Sequence, residues 1–111
     1  MTISLRQYGS VTIVSVQGKI TGDGSALKAV RGALESGTRS ILVDMAGITM
    51  IDSTGIGELT SARTAVAERG GDLKLLIPPA VASAPGIGLL PSGFAVFRDE
   101  KDALASFSVA R

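Results

Sequence analysis

Asp52, Ser53 and Thr54 put an acid and two hydroxyls side by side in the run Ile51-Asp52-Ser53-Thr54-Gly55-Ile56-Gly57. The run follows the apolar stretch Ile41-Leu42-Val43-Asp44. It precedes a stripe in which Ile56, Leu59, Ala62 and Val66 share one face at near-3.6 spacing. The three polar side chains therefore stand where a loop becomes a helix. Two kinds of chemistry suit that place. Their oxygens can accept from the first free backbone N–H groups, which is helix capping. Alternatively, a phosphate on Ser53 would bring about two negative charges to the positive end of the helix dipole, which is a phospho-switch.

Little else in the chain could do covalent chemistry. Cysteine and histidine are both absent, which excludes disulfides, thiol nucleophiles, thiolate zinc sites and Ser-His-Asp triads. Carboxylates, lysines, Tyr8 and hydroxyls remain, and none titrates near neutrality unless strongly perturbed. Asp44 and Asp52 form a conceivable acid/base pair, but nothing nearby completes a reaction centre. Gly55-Ile56-Gly57 begins like a dinucleotide fingerprint, yet Thr60 stands where the third glycine belongs, and no Gly-Lys-Ser/Thr marks a P-loop. Gly55 and Gly57 instead allow close approach of a backbone, either from the adjacent sheet or from a docking partner. The expectation is a binding protein that is not an enzyme and carries no cofactor and no metal.

Composition narrows the partners. The 111 residues are enough for one domain, 1–111, and the 45% apolar content suits a folded core. The net charge is +1, with Arg6, Lys19, Arg39, Arg69 and Arg98 scattered and no tryptophan. No basic stripe with stacking aromatics appears, so no nucleic-acid partner is expected. No apolar run approaches the roughly 20 residues that span a bilayer, and the opening Met1-Thr2-Ile3-Ser4-Leu5-Arg6 lacks a signal peptide's pattern. A cytoplasmic setting without membrane insertion follows as an expectation.

The elements that must position the acid and hydroxyls are legible in the patterning. Ile3–Tyr8 and Val11–Gln17 predict two strands joined by a Gly9-Ser10 hairpin turn. Residues 18–24 predict a loop, Ser25 an N-cap, and Leu27, Val30 and Leu34 the apolar stripe of a first helix closed by Gly37. Ile41–Asp44 predicts a short strand buried on both faces. The loop around Asp52 and the second helix follow, ended by Gly70-Gly71. On that helix Glu58, Ser61, Thr64, Ala65 and Glu68 are expected to face outward, and most are small enough for a docking face. Leu73–Ile77 and Phe94–Phe97 predict two more strands, and Asp99 caps a terminal helix packed through Leu104 and Phe107. Between them, Pro85-Gly86 and Gly88 permit at most a short helix near Ala80–Ala84, because helix-interior proline costs about 3 kcal/mol and glycine about 1 kcal/mol. Leu89 and Leu90 then need cover from the sheet or from a second copy, so a homodimer is an open option. This order calls for an α/β fold with a mixed, mostly parallel sheet, an N-terminal antiparallel hairpin and helices packed against it.

The stretch Val43-Asp44-Met45-Ala46-Gly47-Ile48-Thr49-Met50-Ile51-Asp52-Ser53-Thr54-Gly55-Ile56-Gly57-Glu58-Leu59, with Gly70-Gly71-Asp72-Leu73-Lys74-Leu75 after it, resembles the signature of the STAS, or anti-sigma factor antagonist, family. As a motif the resemblance covers residues 41–77, and as an element order nearly the whole chain, implying a STAS-like single domain. It further implies that Ser53 is the phosphoacceptor of a partner that is both anti-sigma factor and serine kinase. The unphosphorylated protein would bind that kinase and free the sigma factor. Phosphorylation would break the complex, and a serine phosphatase would reset it. The implied partner-binding residues are Thr21, Asp23, Asp52, Thr54, Gly55, Gly57, Glu58 and Ser61.

Thr54 is expected to be the cap and Asp52 to tie down the loop's N–H groups. Two positions depart from the family pattern. Thr21 stands where relatives often have an acid, with Asp23 the nearest one. Glu58 would hold its charge close to a phosphate on Ser53, a repulsion of about 1 kcal/mol or less at a surface. The alternative reading is a non-switching STAS subunit of a larger assembly, such as a transport complex or a stress-sensing particle.

Overall fold

A computed structural model describes residues 2–107 of the chain. Strands β1 (Thr2–Tyr8) and β2 (Val11–Ile20) form the expected hairpin, with Gly9 at φ 60 in its turn. Helix α1 (Ser25–Glu35), strand β3 (Ser40–Ile51), helix α2 (Ser53–Glu68) and strand β4 (Asp72–Leu76) follow. A short strand β5 (Val96–Phe97) and helix α3 (Glu100–Phe107) complete the described residues. The sheet order is β1-β2-β3-β4-β5, with β1 antiparallel to β2 and the remaining neighbours parallel. The fold is therefore the mixed, mostly parallel α/β architecture that the element order demanded.

Strand alternation distributes the core between two faces. Ile41 and Val43 of β3 join Val14, Val16 and Leu75 under α1 and α2, which contribute Val30, Leu34, Leu59 and Val66. Leu42, between them, points the other way and packs with Ile13, Leu76, Ala103 and Phe107 beneath α3. This two-sided burial is why Ile41-Leu42-Val43 is apolar without alternation. The α2 stripe holds, with Leu59, Ala62 and Val66 buried and Ile56 packed at its margin. The helix ends at Glu68 with Arg69 as its C-cap, and Gly70, at a positive φ of 78, turns the chain away. Asp99 caps α3 as expected, accepting from the Asp102 N–H at 2.9 Å.

Four boundaries differ from the sequence reading. Strand β2 continues to Ile20, so the expected loop at 18–24 shrinks to 21–24. Strand β3 likewise continues from Asp44 to Ile51, absorbing most of the expected loop. The two extensions pair with each other through register shifts between Ser15 and Gln17 and between Gly18 and Lys19. The Asp44 carboxylate braces the first shift by accepting from the Ala46 N–H at 2.9 Å. Helix α1 has Gly24, not Ser25, at its N-cap, with no side-chain cap from that residue. Strand β5 begins at Val96, because Phe94 turns into the core instead of joining the ladder.

The segment between β4 and β5 behaves as its breakers require. It contains single 3₁₀ turns at Pro79–Val81 and Ile87–Leu89 and no α-helix. Val81, Ala84, Ile87 and Leu90 pack against the core, but Leu89 is 68% exposed, so the chain itself does not supply the expected cover. The segment is pinned where the Ile51 N–H donates to the Pro85 carbonyl at 2.9 Å. Gly86 follows with φ 91, and a Cβ there would collide with the Ile51 carbonyl oxygen. Gly86→Ala should therefore destabilise the fold by about 1–3 kcal/mol, from overpacking and a backbone conformation that L residues avoid. Thermal melting should fall by several degrees (~4–8 °C per kcal/mol for a domain near this size).

Candidate functional site

The end of β3 and the start of α2 form one rigid corner. The Asp52 N–H donates to the Ile20 carbonyl at 3.2 Å, tying the corner to the end of β2. Asp52 has an extended backbone and is the N-cap of α2, its Oδ1 accepting from the Gly55 N–H at 2.8 Å. Thr54 Oγ1 lies 2.7 Å from the same carboxylate oxygen and 2.8 Å from the Thr21 carbonyl, so the hydroxyl links the corner to the 21–24 loop. Asp52 ties down an N–H as expected, but Thr54 is not the cap. Asp52 caps the helix and Thr54 supports the cap, because the extended backbone at Asp52 aims its carboxylate back over the first turn.

Gly55 is buried with its α-carbon against the Ile20 carbonyl, and any Cβ would fall onto that oxygen and within 2.9 Å of Ile51 Cγ1. Its close approach is to the sheet. Gly57 has nothing within 4 Å of an added Cβ, so its bareness serves no packing inside the chain. Ser53, the first residue of α2, is exposed, and its hydroxyl makes no hydrogen bond among the described residues. Ser53, Gly57 and Ser61, spaced four apart, form an open small-residue strip along the helix.

Glu58 is the main correction. It does not face outward: it is 7% exposed, and its carboxylate crosses to the start of α1. Oε1 accepts from the Gly24 N–H at 3.2 Å and Oε2 from the Leu27 N–H at 2.9 Å. Those are the N-cap and third-position donors of α1, the pair that a local capping box would satisfy. Asp23 Oδ1 takes a third donor, the Ser25 N–H, at 2.9 Å. Ala65 also leaves the expected outward face, being buried against the sheet side of the helix. Thr64 and Glu68 do point to solvent, as does Ser61.

Thr21 and Asp23 are exposed at the loop beside Ser53, so the structure brings together Thr21, Asp23, Asp52, Ser53 and Thr54. Gly22 in that loop has φ 81 and fits against Thr54, where a Cβ would sit 2.8 Å from Thr54 Cβ. The Thr54 hydroxyl and then the Gly55 N–H hold the Asp52 carboxyl below its ordinary value of 3.8. The backbone N–H of Ser25 does the same for Asp23. No group of His, Cys, Asp and Glu suited to a metal occurs among the described residues. One feature the sequence did not signal is Arg63, whose guanidinium lies 4.6 Å from the Phe94 ring centroid and braces the 91–94 turn against α2.

Glu58→Ala should cost about 1–3 kcal/mol by stranding two half-buried N–H groups, and Glu58→Gln should cost less because one acceptor oxygen survives. Ser53→Ala, which removes no bond, should stay within about 0.5 kcal/mol of wild type. The lowered Asp52 pKa has a defined sign. A carboxylate whose folded pKa lies below its unfolded one stabilises the fold above the unfolded value and loses that contribution as pH falls through the folded pKa. Asp52→Asn keeps the cap oxygen but not the titration. The melting-temperature gap between wild type and this variant should hold at neutral pH and close as pH falls below 3.8.

Residues 3–85 match the family model described as "Mlab, STAS domain". No match was found among curated protein sequences. Solved structures with the same fold include an anti-sigma factor antagonist from Mycobacterium paratuberculosis, with 16% identity, 95% of this chain and 92% of that one covered, and a TM-score of 0.75. The anti-sigma factor antagonist SpoIIAA in its unphosphorylated form gives 13% identity, coverage of 99% and 100%, and a TM-score of 0.68. The Bacillus SpoIIAA in its phosphorylated form gives 14% identity, coverage of 95% and 97%, and a TM-score of 0.64. At these identities the structures share the fold, while the family match takes in the hairpin, both large helices and the Asp52 corner. The chain belongs to the STAS domain family.

Proposed function

We propose that this STAS domain is an anti-sigma factor antagonist of a bacterial partner-switching system, acting by binding and not by catalysis, with Ser53 as its phosphoacceptor. The observation that carries the reading is the free Ser53 hydroxyl, exposed on the first turn of α2 between two residues that do the capping. A kinase can reach this oxygen without opening any hydrogen bond of the fold. The structurally similar antagonist SpoIIAA, described in both unphosphorylated and phosphorylated forms, supports the same reading.

The switch is electrostatic. The strip of Ser53, Gly57 and Ser61 lets a partner's backbone or side chains lie close to α2. The exposed Thr21 and Asp23 extend that surface across the neighbouring loop. In the kinase-bound state the Ser53 hydroxyl is a neutral contact. Transfer of the ATP γ-phosphoryl to Ser53 Oγ replaces it with a dianion that the same interface must desolvate. The partners are an anti-sigma factor serine kinase and an opposing serine phosphatase, meeting the protein in the cytoplasm. Among the described residues no helix is long and apolar enough to cross a membrane.

A second reading rests on the description of the matching family model, Mlab, which names no antagonist. Here the same α2 face docks permanently in a larger assembly, such as a transport complex. Incubation with the cognate kinase and ATP should label Ser53, and Ser53→Ala should abolish the label; label elsewhere refutes the phosphoacceptor. Ser53→Asp should bind the kinase about tenfold or more weakly by calorimetry, since an added interfacial charge costs more than about 1.4 kcal/mol. Equal affinity with an intact fold would favour the constitutive subunit.

A further inference from the structure

The two edges of the sheet are finished differently. At one edge β5 is a strand of two residues, Val96–Phe97, too short to template a neighbour. At the other, β1 runs seven residues, Thr2–Tyr8, in unbroken register with β2. Natural edges are blunted by shortness, bulges, prolines or lysines, and β1 has none of these. Its one charged residue, Arg6, is turned toward α3, where Nη2 donates to Glu100 Oε1 at 2.8 Å and lies 3.8 Å from Asp44 Oδ2. Within the strand only Ile3 is partly covered. Leu5 is 54% and Tyr8 62% exposed, one on each face of the sheet.

Half of the β1 backbone is spoken for. The two-residue turn at Gly9-Ser10 makes Tyr8 and Val11 a hydrogen-bonded pair, and bonded and unbonded pairs alternate from there. Tyr8, Arg6, Ser4 and Thr2 therefore turn their N–H and C=O groups toward β2, while Gln7, Leu5 and Ile3 turn theirs outward. Among the described residues no other element takes these outward groups. The side chains of the same three residues stand on the α1 face, in the groove walled by Ala29, Gly32 and Ser36 of that helix.

We propose that β1 pairs with β1 of a second copy, antiparallel about a two-fold axis at Leu5, so that a homodimer shares one continuous sheet. In that register Leu5 meets the partner's Leu5 and Ile3 meets the partner's Gln7, each pair exchanging its outward backbone bonds. Arg6 falls opposite the partner's Ser4 and Tyr8 opposite the partner's Thr2. The whole strand is used and no like charges meet. An axis one residue along, at Arg6, would set the two guanidinium groups against each other. The axis stands perpendicular to the sheet, so both α1 helices lie on one face and their grooves join over the paired Leu5 side chains. Lys28, in the first turn of α1 at the Ile3 end, then faces the C-terminal end of the partner's α1. That end carries Glu35 as well as Arg39, and the negative end of the helix dipole. The two-fold also closes the assembly. It consumes the open edge of both copies and leaves only the two-residue β5 edges outside, so growth stops at two. β1 takes no part in the Ser53 corner, so the dimer stands or falls independently of the switch.

The test uses the full chain. Sedimentation equilibrium should show a reversible monomer–dimer equilibrium whose upper mass is twice the 11.3 kDa of one chain. Leu5→Pro removes an N–H that the monomer leaves in solvent, at an edge position where proline is tolerated, and Leu5→Lys sets two like charges at the axis. Each should raise the dimer dissociation constant about tenfold or more. Leu5→Lys keeps every backbone donor, so it carries the test even where the proline unfolds the hairpin. The chain has no cysteine, so Leu5→Cys introduces a single thiol. Hydrogen-bonded antiparallel partners stand about 5.5 Å apart at Cα, within disulfide reach. Mild oxidation should join Leu5→Cys into covalent dimers and leave Gln7→Cys monomeric, because the two copies of position 7 would lie about 13 Å apart along the strands. The proposal is overturned by a chain that stays monomeric at its highest soluble concentration, by a folded Leu5→Lys variant that dimerises as wild type does, or by Gln7→Cys crosslinking as readily as Leu5→Cys. A dimer lost in Leu89→Asp and kept in Leu5→Lys would assign the contact to the exposed Leu89 instead.

Discussion

One carboxylate holds the two large helices in register. Glu58, in the second turn of α2, accepts from both the N-cap and the third N–H of α1, over 34 and 31 residues of sequence. A helix start normally draws these acceptors from its own first residues. Gly24 has no side chain to offer, so α1 begins correctly only where α2 is already in place. The same contact fixes the 21–24 loop, because Gly24 ends it, and so fixes Thr21 and Asp23 beside Ser53. The ionised group is also favourably placed, with its charge at the positive end of the α1 dipole.

The Asp52 corner applies a second constraint of the same kind. Gly55 rests on the carbonyl of Ile20, which also accepts from the Asp52 N–H, so β2, β3 and α2 meet at one oxygen. The capping work falls to Asp52, with Thr54 tethering it to the Thr21 carbonyl. Ser53, between them, is left with no structural duty. That division of labour leaves the rigid frame to its neighbours: Asp52 and Thr54 bear the geometry, and the Ser53 oxygen takes no part in it.

The parts of the fold governed by local periodicity were legible in the sequence. The hairpin, the stripes of α1 and α2, the glycine stop at Gly70, the Asp99 cap and the broken segment around Pro85-Gly86 all follow from spacing, turn chemistry and proline geometry. The errors came where a distant partner decides. Helical spacing placed Glu58 outward, but whether that flank meets water depends on where α1 lies. Ser25 looked like a cap because the true acceptor is remote in the chain. Strands β2 and β3 outran their apolar cores because each extension completes the other's ladder through an irregular register, which neither sequence shows alone. The spacing placed Asp52, Ser53 and Thr54 at the start of α2, while the contacts of Asp52, Thr54 and Glu58 required the three-dimensional arrangement.

The electrostatics of this edge explain why a phosphate on Ser53 would act outward and not inward. Both α1 and α2 begin here, at the ends of β2 and β3, and two helix N-termini side by side would ordinarily form a strong anion site. At α1 Glu58 and Asp23 hold three of the leading N–H groups, and at α2 the Asp52 carboxylate holds the Gly55 N–H beside Ser53. Three carboxylates offset the two dipole ends. A phosphate on Ser53 would meet the Asp52 charge next to it, so it would gain little by folding back onto its own helix. It would stay in solvent, where any partner approaching α2 would meet its full charge.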